Sequence, residues 1–226
     1  MLDSGTMYPI RELRVDAMFG DGGLTFREFV MREPLPLSTI HDAVLEFLKG
    51  RDDAILFGAQ AVNAYVDEPR MTQDVDIQSA RAAGLAVEIR EHLAKAFQIT
   101  VREREAGGGL GIRIYQLQKP KNRHLVDVRQ ADPLPPSQRV GGVLVVTPPE
   151  LIAGKVKALV DRRGRPKAGT DWRDVTLLLL KFPELKTEAG PVRERLDANA
   201  AESSVIAAWR ELVALEIRPE DEDAGY

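Results

Sequence analysis

The sequence predicts an α/β (α+β) chain in which a mixed β-sheet flanked by helices is followed by a helical C-terminal region. Three observations predict it. A short apolar run passes through Gly58 into a helical pattern, alternating segments broken by turn residues recur between Asp74 and Val146, and apolar residues recur at helical spacing from Thr147 onward. At 226 residues the chain is long enough to bury a substantial core.

Taken in order, residues 1–37 carry GDGG and the proline-broken EPLPL and read as an N-terminal appendage. From Ser38, an expected N-cap, Ile40, Val44, Leu45, Phe47 and Leu48 define an amphipathic helix that Gly50 ends. Ala54–Phe57 reads as a strand that turns at Gly58 into the helix AQAVNAY. After DEPR, Asp74–Ile77 alternates as a strand, and residues 81–96 return to helical periodicity. Strands are expected at 98–105, 111–118 and 124–129, joined by AGGG and KPKNR, with a further one over 140–146. The glycines of AGGG, with strands on both sides and no helix after them, read as a hairpin turn rather than a phosphate loop. Thr147 and Glu150 form a capping-box pattern with Pro148 at the first helical position, a second helix follows RRGRPKAG with Thr170 as its expected cap, and another lies around 205–217. The acidic PEDED reads as a solvated tail. The expected organisation is therefore an appendage (1–37), a core (38–147) and a helical region (148–226).

Composition excludes several classes of function. The chain is 44% hydrophobic and 29% charged, with no apolar run of the roughly 18 residues that span a bilayer. MLDSGTMYPIRELR lacks a basic region followed by an apolar stretch, so a cytoplasmic, membrane-free protein is expected. With no cysteine and only three scattered histidines, thiolate and histidine-rich metal chemistry is set aside, and carboxylates are left to hold any metal. The formal net charge of −4 argues against broad non-specific nucleic-acid binding while leaving room for a local basic patch.

The pattern that carries chemistry is Asp74-Val75-Asp76-Ile77. On a strand both aspartates project from one face while Val75 and Ile77 face the core. Adjacent carboxylates repel unless a cation neutralises them, and magnesium, which takes oxygen ligands, is the natural one. Asp127 is the expected third acid, because His124–Val128 is an apolar strand whose anion packing does not explain. The plain alternative is two exposed strand-edge acids and an unrelated Asp127. Against it stands the turn at Gly58, which brings backbone N–H groups and a helix start up to an anionic ligand, as phosphoryl transfer requires. On the helix after Thr147, Lys155 falls within the apolar stripe and Lys157 points away, so Lys155 is either a snorkelling edge residue or a cation facing phosphate. Asp171 and Asp174 share one side of the next helix, where stabilising its N-terminus would account for them. The basic turn of Arg162, Arg163, Arg165 and Lys167 fits either nucleic-acid phosphates or a helix C-terminus.

The stretch FGAQAVNAYVDEPRMTQDVDI resembles the signature of the nucleotidyltransferase superfamily related to DNA polymerase beta, and especially its AbiEii-like branch among bacterial toxin–antitoxin proteins. That branch has a Gly-Gly or Gly-Ser pair and an Arg-x-Thr-x-Asp-x-Asp element, matched here by Gly58-Ala59 and by Arg70, Thr72, Asp74 and Asp76. Ala59 supplies a backbone N–H but no hydroxyl. ELIAGKVKALVDR and TDWRDVTLLL look like the branch's later lysine and Arg-Asp segments, so the resemblance covers about residues 54–181.

The resemblance implies a nucleotidyltransferase-type sheet and transfer of a nucleoside monophosphate from a nucleoside triphosphate (NTP). Two Mg2+ ions would be held by Asp74, Asp76 and Asp127, with Asp127 also able to take the acceptor's proton. Gly58, Ala59, Arg70, Thr72 and Lys155 would bind nucleotide, and Asp171 would position Lys155 or the substrate. It further implies an RNA or tRNA end, or a protein hydroxyl, as acceptor, and a cognate antitoxin as partner. The alternatives are a small-molecule transferase of the antibiotic-modifying kind and a catalytically silent nucleotide-binding or antitoxin-like module.

Overall fold

The computed structural model describes residues 35–219. The appendage up to residue 34 and nearly all of PEDED lie outside them. A seven-stranded mixed sheet is built from residues 55–146: β1 (Ile55–Phe57), β2 (Val75–Ser79), β3 (Val101–Ala106), β4 (Gly111–Gln116), β5 (Arg123–Gln130), β6 (Ser137–Val140) and β7 (Val143–Val146). Their spatial order is β3-β4-β5-β2-β1-β7-β6, with β2 parallel to β5 and β1 parallel to β7. Before the sheet comes α1 (Leu37–Leu48), between β1 and β2 lies the short α2 (Gly58–Asn63), and between β2 and β3 lies α3 (Ala82–Phe97). The helical region follows as α4 (Pro148–Asp161), α5 (Pro166–Lys181), α6 (Pro191–Ala198) and α7 (Ser203–Ala214).

Strand alternation gives the sheet two unlike faces. Val75, Ile77, Val126, Val128 and Ile114 are fully buried, and α3 packs across β2, β3, β4 and β5 on that side. Asp76 and Asp127 point to the other. The core runs on into the helical region, where α4 packs against α5, α6 and α7 around Ile152, Val156, Leu178, Val192 and Trp209. No helix among the described residues is long and apolar enough to cross a membrane.

Several local expectations are corrected. Pro36, not Ser38, precedes α1. Thr147 does stand before α4, with Pro148 first in the helix, but its side chain makes no capping hydrogen bond. Glu150, its expected partner, instead accepts hydrogen bonds from Arg195 Nε (2.6 Å) and Asn199 Nδ2 (3.0 Å) of α6 and its end, so a tertiary contact displaces the local one. Thr170 caps nothing either, because α5 already begins at Pro166. The single strand expected over 140–146 is two, β6 and β7, folded back at Gly141 and Gly142, whose φ values of +58° and +88° suit a tight hairpin that only glycine adopts freely. An additional helix, α6, precedes the last one.

Candidate active site

The site forms where β1, β2 and β5 lie side by side. Asp76 is in register with Asp127 on β5 and with Phe57 on β1, so the two carboxylates share one row across the sheet. Asp74 immediately precedes β2 and lies on the same side. A side chain not anticipated from the sequence, His124, sits between the acids: its Nδ1 is 3.1 Å from Asp74 Oδ2 and its Nε2 is 3.3 Å from Asp127 Oδ1. Residues three apart on a regular strand face opposite ways. Here a β-bulge skips Leu125, so that Ile114 pairs with Val126 and Tyr115 with His124, which turns His124 onto the face of Asp127. A spacing count on the sequence has no means of seeing that shift.

The electrostatics are those of crowded anions. Burial, followed by the charge of Asp74, pushes Asp76 up to about 6. Asp74 is held below the usual carboxylate range by its hydrogen bond with His124. Burial acts to raise Asp127, but His124 and Arg113 outweigh it and hold it low. The two carboxylates on either side, Asp127 foremost, push His124 up to about 9. Arg113 Nε donates to Asp127 Oδ1 at 3.1 Å, and Arg129 lies 3.9 Å from Asp76 while stacking over the Phe57 ring.

This donor set fits a divalent cation. Ligand atoms of Asp74, His124 and Asp127 lie within 4.8 Å of one another, His124 Nε2 is buried without an aligned hydrogen-bond partner, and Arg129 comes no nearer to Asp76 than 3.9 Å. Three carboxylates are the oxygen donors magnesium prefers, whereas the imidazole is a softer ligand better suited to transition metals.

Gly58 closes the site from the β1 side. It opens α2 with φ +70°, and a Cβ at this position would fall 2.1 Å from Asp76 Oδ2. Backbone and carboxylate can approach this closely only because the residue is glycine. Ala59 lies in the first turn of α2, where N–H groups have no partner within the helix.

Beside the acids stands a second cluster of charge. Lys155 is buried while Lys157 is exposed, and Lys155 Nζ donates to Asp174 Oδ2 at 2.6 Å and lies 3.4 Å from Asp171 Oδ1. Arg70 grips Asp174 with Nε and Nη2, both at 2.9 Å, and Arg162 Nη1 donates to Asp171 at 2.6 Å. The aspartates sit inside α5 rather than at its start, and are almost wholly buried, so stabilising a helix N-terminus does not explain them. Through Arg70 the cluster ties the loop that carries Asp74 to α4 and α5. Thr72, on the same loop, turns inward and accepts a hydrogen bond from Gln60 Nε2 at 2.8 Å, next to His41 of α1.

The family described as nucleotidyl transferase AbiEii toxin, Type IV TA system, matches residues 42–223 of this sequence. The chain belongs to that family. AbiEii membership makes it a nucleotidyltransferase, in a family whose description is that of toxins of Type IV toxin–antitoxin systems. A solved structure agrees on the fold: the Megavirus polyadenylate synthase superposes with a TM-score of 0.53 at 12% identity over 65% of this chain. The AbiEii chain spans only about a third of that enzyme, 32% of its length. JHP933 from Helicobacter pylori gives a TM-score of 0.49 at 10% identity, over 78% of this chain and 88% of its own. No curated protein sequence matches this chain.

The buried charge cluster makes a stability prediction. Burial alone would raise Asp174, but Arg70 and Lys155 outweigh it and hold its carboxyl below the usual range. A depressed folded-state value means that the contribution is present above the unfolded value near 4 and is lost as pH falls through the lower folded one. Asp174→Ala strips Arg70 of its carboxylate and Lys155 of the nearer of its two, and is expected to cost about 3–5 kcal/mol at neutral pH. Thermal unfolding followed by circular dichroism should show a midpoint roughly 10 °C below wild type. The gap should narrow as pH drops below about 4, and a gap independent of pH contradicts this account.

Proposed function

We propose that the protein transfers a nucleoside monophosphate from an NTP to an acceptor hydroxyl of RNA, a tRNA end in particular, or of protein, and that its toxicity is restrained by a cognate antitoxin. The observation that carries the reading is the convergence of Asp74, Asp76 and Asp127 on one face of the sheet, with Gly58 in contact with Asp76. In this reading Asp74, Asp76 and Asp127 would hold Mg2+, two ions in the full site. When bound, the ions offset charge on the triphosphate and polarise the reacting oxygens.

The rest falls to the chain's own groups. Backbone N–H groups at Gly58 and Ala59 receive the β- and γ-phosphates, and their position on the β1 side of Asp76 points the leaving group that way. The acceptor oxygen bonds to the α-phosphorus, the bond from phosphorus to the pyrophosphate oxygen breaks, and a carboxylate oxygen of Asp127 takes the hydroxyl proton. Lys155 lies near enough to Asp76 to lower its proton affinity, and in this reading it offsets charge on the departing pyrophosphate. Asp171 and Asp174 position that lysine, and Arg70 and Thr72 set the loop carrying Asp74.

Purified protein incubated with each α-labelled NTP, Mg2+ and total cellular RNA or protein should transfer label, and chelation with EDTA should remove at least about 99% of it. Label in neither fraction, with any of the four NTPs, overturns the proposal. Expression in the host should arrest growth, and co-expression of a neighbouring antitoxin should relieve the arrest.

A further inference from the structure

The row of paired residues that holds Asp76 and Asp127 does not stop at β5. Asp127 is in register with Arg113 on β4, and Arg113 with Arg104 on β3, so one line across the sheet reads Asp76, Asp127, Arg113, Arg104. Residues opposite one another share a face. Two residues along, Arg102 is opposite Tyr115, whose ring lies 5.1 Å from that of His124. Beyond the carboxylates, the catalytic face therefore continues as a strip of arginines with one aromatic ring, out to the edge of the sheet.

On β3, charge is sorted by face. The strand reads Val101-Arg-Glu-Arg-Glu, and alternation sends the glutamates to the α3 side, where Glu103 pairs with Arg90 of that helix at 3.2 Å. Arg102 and Arg104 go to the catalytic side, are exposed, and make no hydrogen bond or ion pair among the described residues. Protection of an edge strand accounts for charge here, but is indifferent to which sign faces which way. In a chain of net charge −4, unpaired cations aligned with an acidic catalytic row mark a surface for an anionic partner.

Topology says which substrate meets them. The start of α2, which the reaction proposed above assigns to the phosphates, lies on the β1 side of Asp76, whereas β4 and β3 lie on the far side of Asp127. In-line displacement brings the nucleophile in opposite the leaving group. An acceptor must therefore enter over β5, β4 and β3. Arg104 stands two strand spacings, about 10 Å, from Asp127, within reach of phosphates that follow a terminal hydroxyl. Resting on the transfer reaction proposed above, we infer that Arg102, Arg104 and Arg113, with Tyr115 as a stacking ring, form the track for the acceptor's sugar–phosphate backbone, and that this acceptor is the 3′ end of a single-stranded RNA. Arginine on phosphate with base stacking on an aromatic ring is the general recipe for single-strand binding.

The test is binding of a fluorescent single-stranded oligoribonucleotide, measured by anisotropy over a salt series without NTP. It compares wild type, the double variant R102S/R104S and the control K95S, which removes one exposed cation from α3. Each lost phosphate contact lowers the log–log salt slope by about 0.7, so the double variant should lose about 1.4 in slope and bind about tenfold more weakly, with K95S unchanged. In the transfer assay its KM for RNA should rise while its KM for NTP stays at the wild-type value. Unchanged affinity and slope overturn the inference, as does label appearing only in protein at a rate indifferent to the two substitutions. Weakened RNA binding by R102S/R104S, together with a wild type that transfers no nucleotide, keeps the track and removes the reaction instead.

Discussion

Asp76→Asn is expected to lower nucleotide transfer by a factor of at least about 1,000 while leaving the protein as stable as wild type or more so. The two effects diverge because the carboxylate is held in the folded protein against its electrostatic preference. Burial and the neighbouring Asp74 push Asp76 up to about 6, so at neutral pH its ionised form opposes folding rather than supporting it. The sign follows from linkage. A raised folded value means that the native state binds the extra proton between roughly pH 4 and pH 6, and the penalty is in full force above that window. A tenfold change in proton affinity is worth about 1.4 kcal/mol, so removing the charge without changing the shape relieves a penalty on the order of 3 kcal/mol.

Mg2+ offers a readout that owes nothing to catalysis. A cation bound by the native carboxylates stabilises wild type by mass action, and the thermal midpoint should climb with Mg2+ concentration. In Asp76→Asn that climb should shrink or vanish. Calorimetry with and without Mg2+, beside the labelling assay, separates the possible causes of inactivity: a variant that is inactive because it misfolds melts early in both conditions. Near-normal labelling by Asp76→Asn removes this residue from the site.

The large features were legible in the sequence because they rest on periodicity. Asp74 and Asp76 share a face since strands alternate, and the burial of Lys155 follows from the register of α4. What stayed hidden depends on tertiary structure. His124 joins the acids through a bulge around Leu125, an event of pairing between β4 and β5 with no local signature. Glu150 abandons its expected cap because Arg195, some 45 residues away, offers a charged partner. The Arg70–Asp174 pair spans 104 residues, and no spacing rule joins positions so distant. The setting aside of histidine concerned histidine-rich sites, and it said nothing of a single ring standing between two carboxylates.

Two glycines should answer the same substitution in opposite directions. Gly169 lies inside α5 with open space around its missing Cβ, so Gly169→Ala gains helix propensity and should stabilise by about 0.5–1 kcal/mol with activity retained. Gly58→Ala meets two obstacles at once. Its φ of +70° is the left-handed region, which costs an L-residue roughly 1–2 kcal/mol, and the new methyl would fall 2.1 Å from Asp76 Oδ2 and 2.9 Å from Asp76 Cβ. Asp76 cannot easily yield, because its strand is hydrogen-bonded on both sides, to β1 and to β5. Either the carboxylate rotates out of its row with Asp127, or β1 and α2 move away from β2, taking with them the N–H groups proposed to receive the phosphates. A displacement of about 1 Å in a site of this kind typically costs about 100-fold in rate. Gly58→Ala is therefore expected to lower kcat/KM about 100-fold or more and the melting midpoint by several degrees, with R102S/R104S-sensitive RNA binding unaffected because the arginine track lies on the other side of Asp127. Retention of more than about half the wild-type rate by Gly58→Ala shows that Asp76 has another position from which to act, and that the contact with Gly58 is incidental.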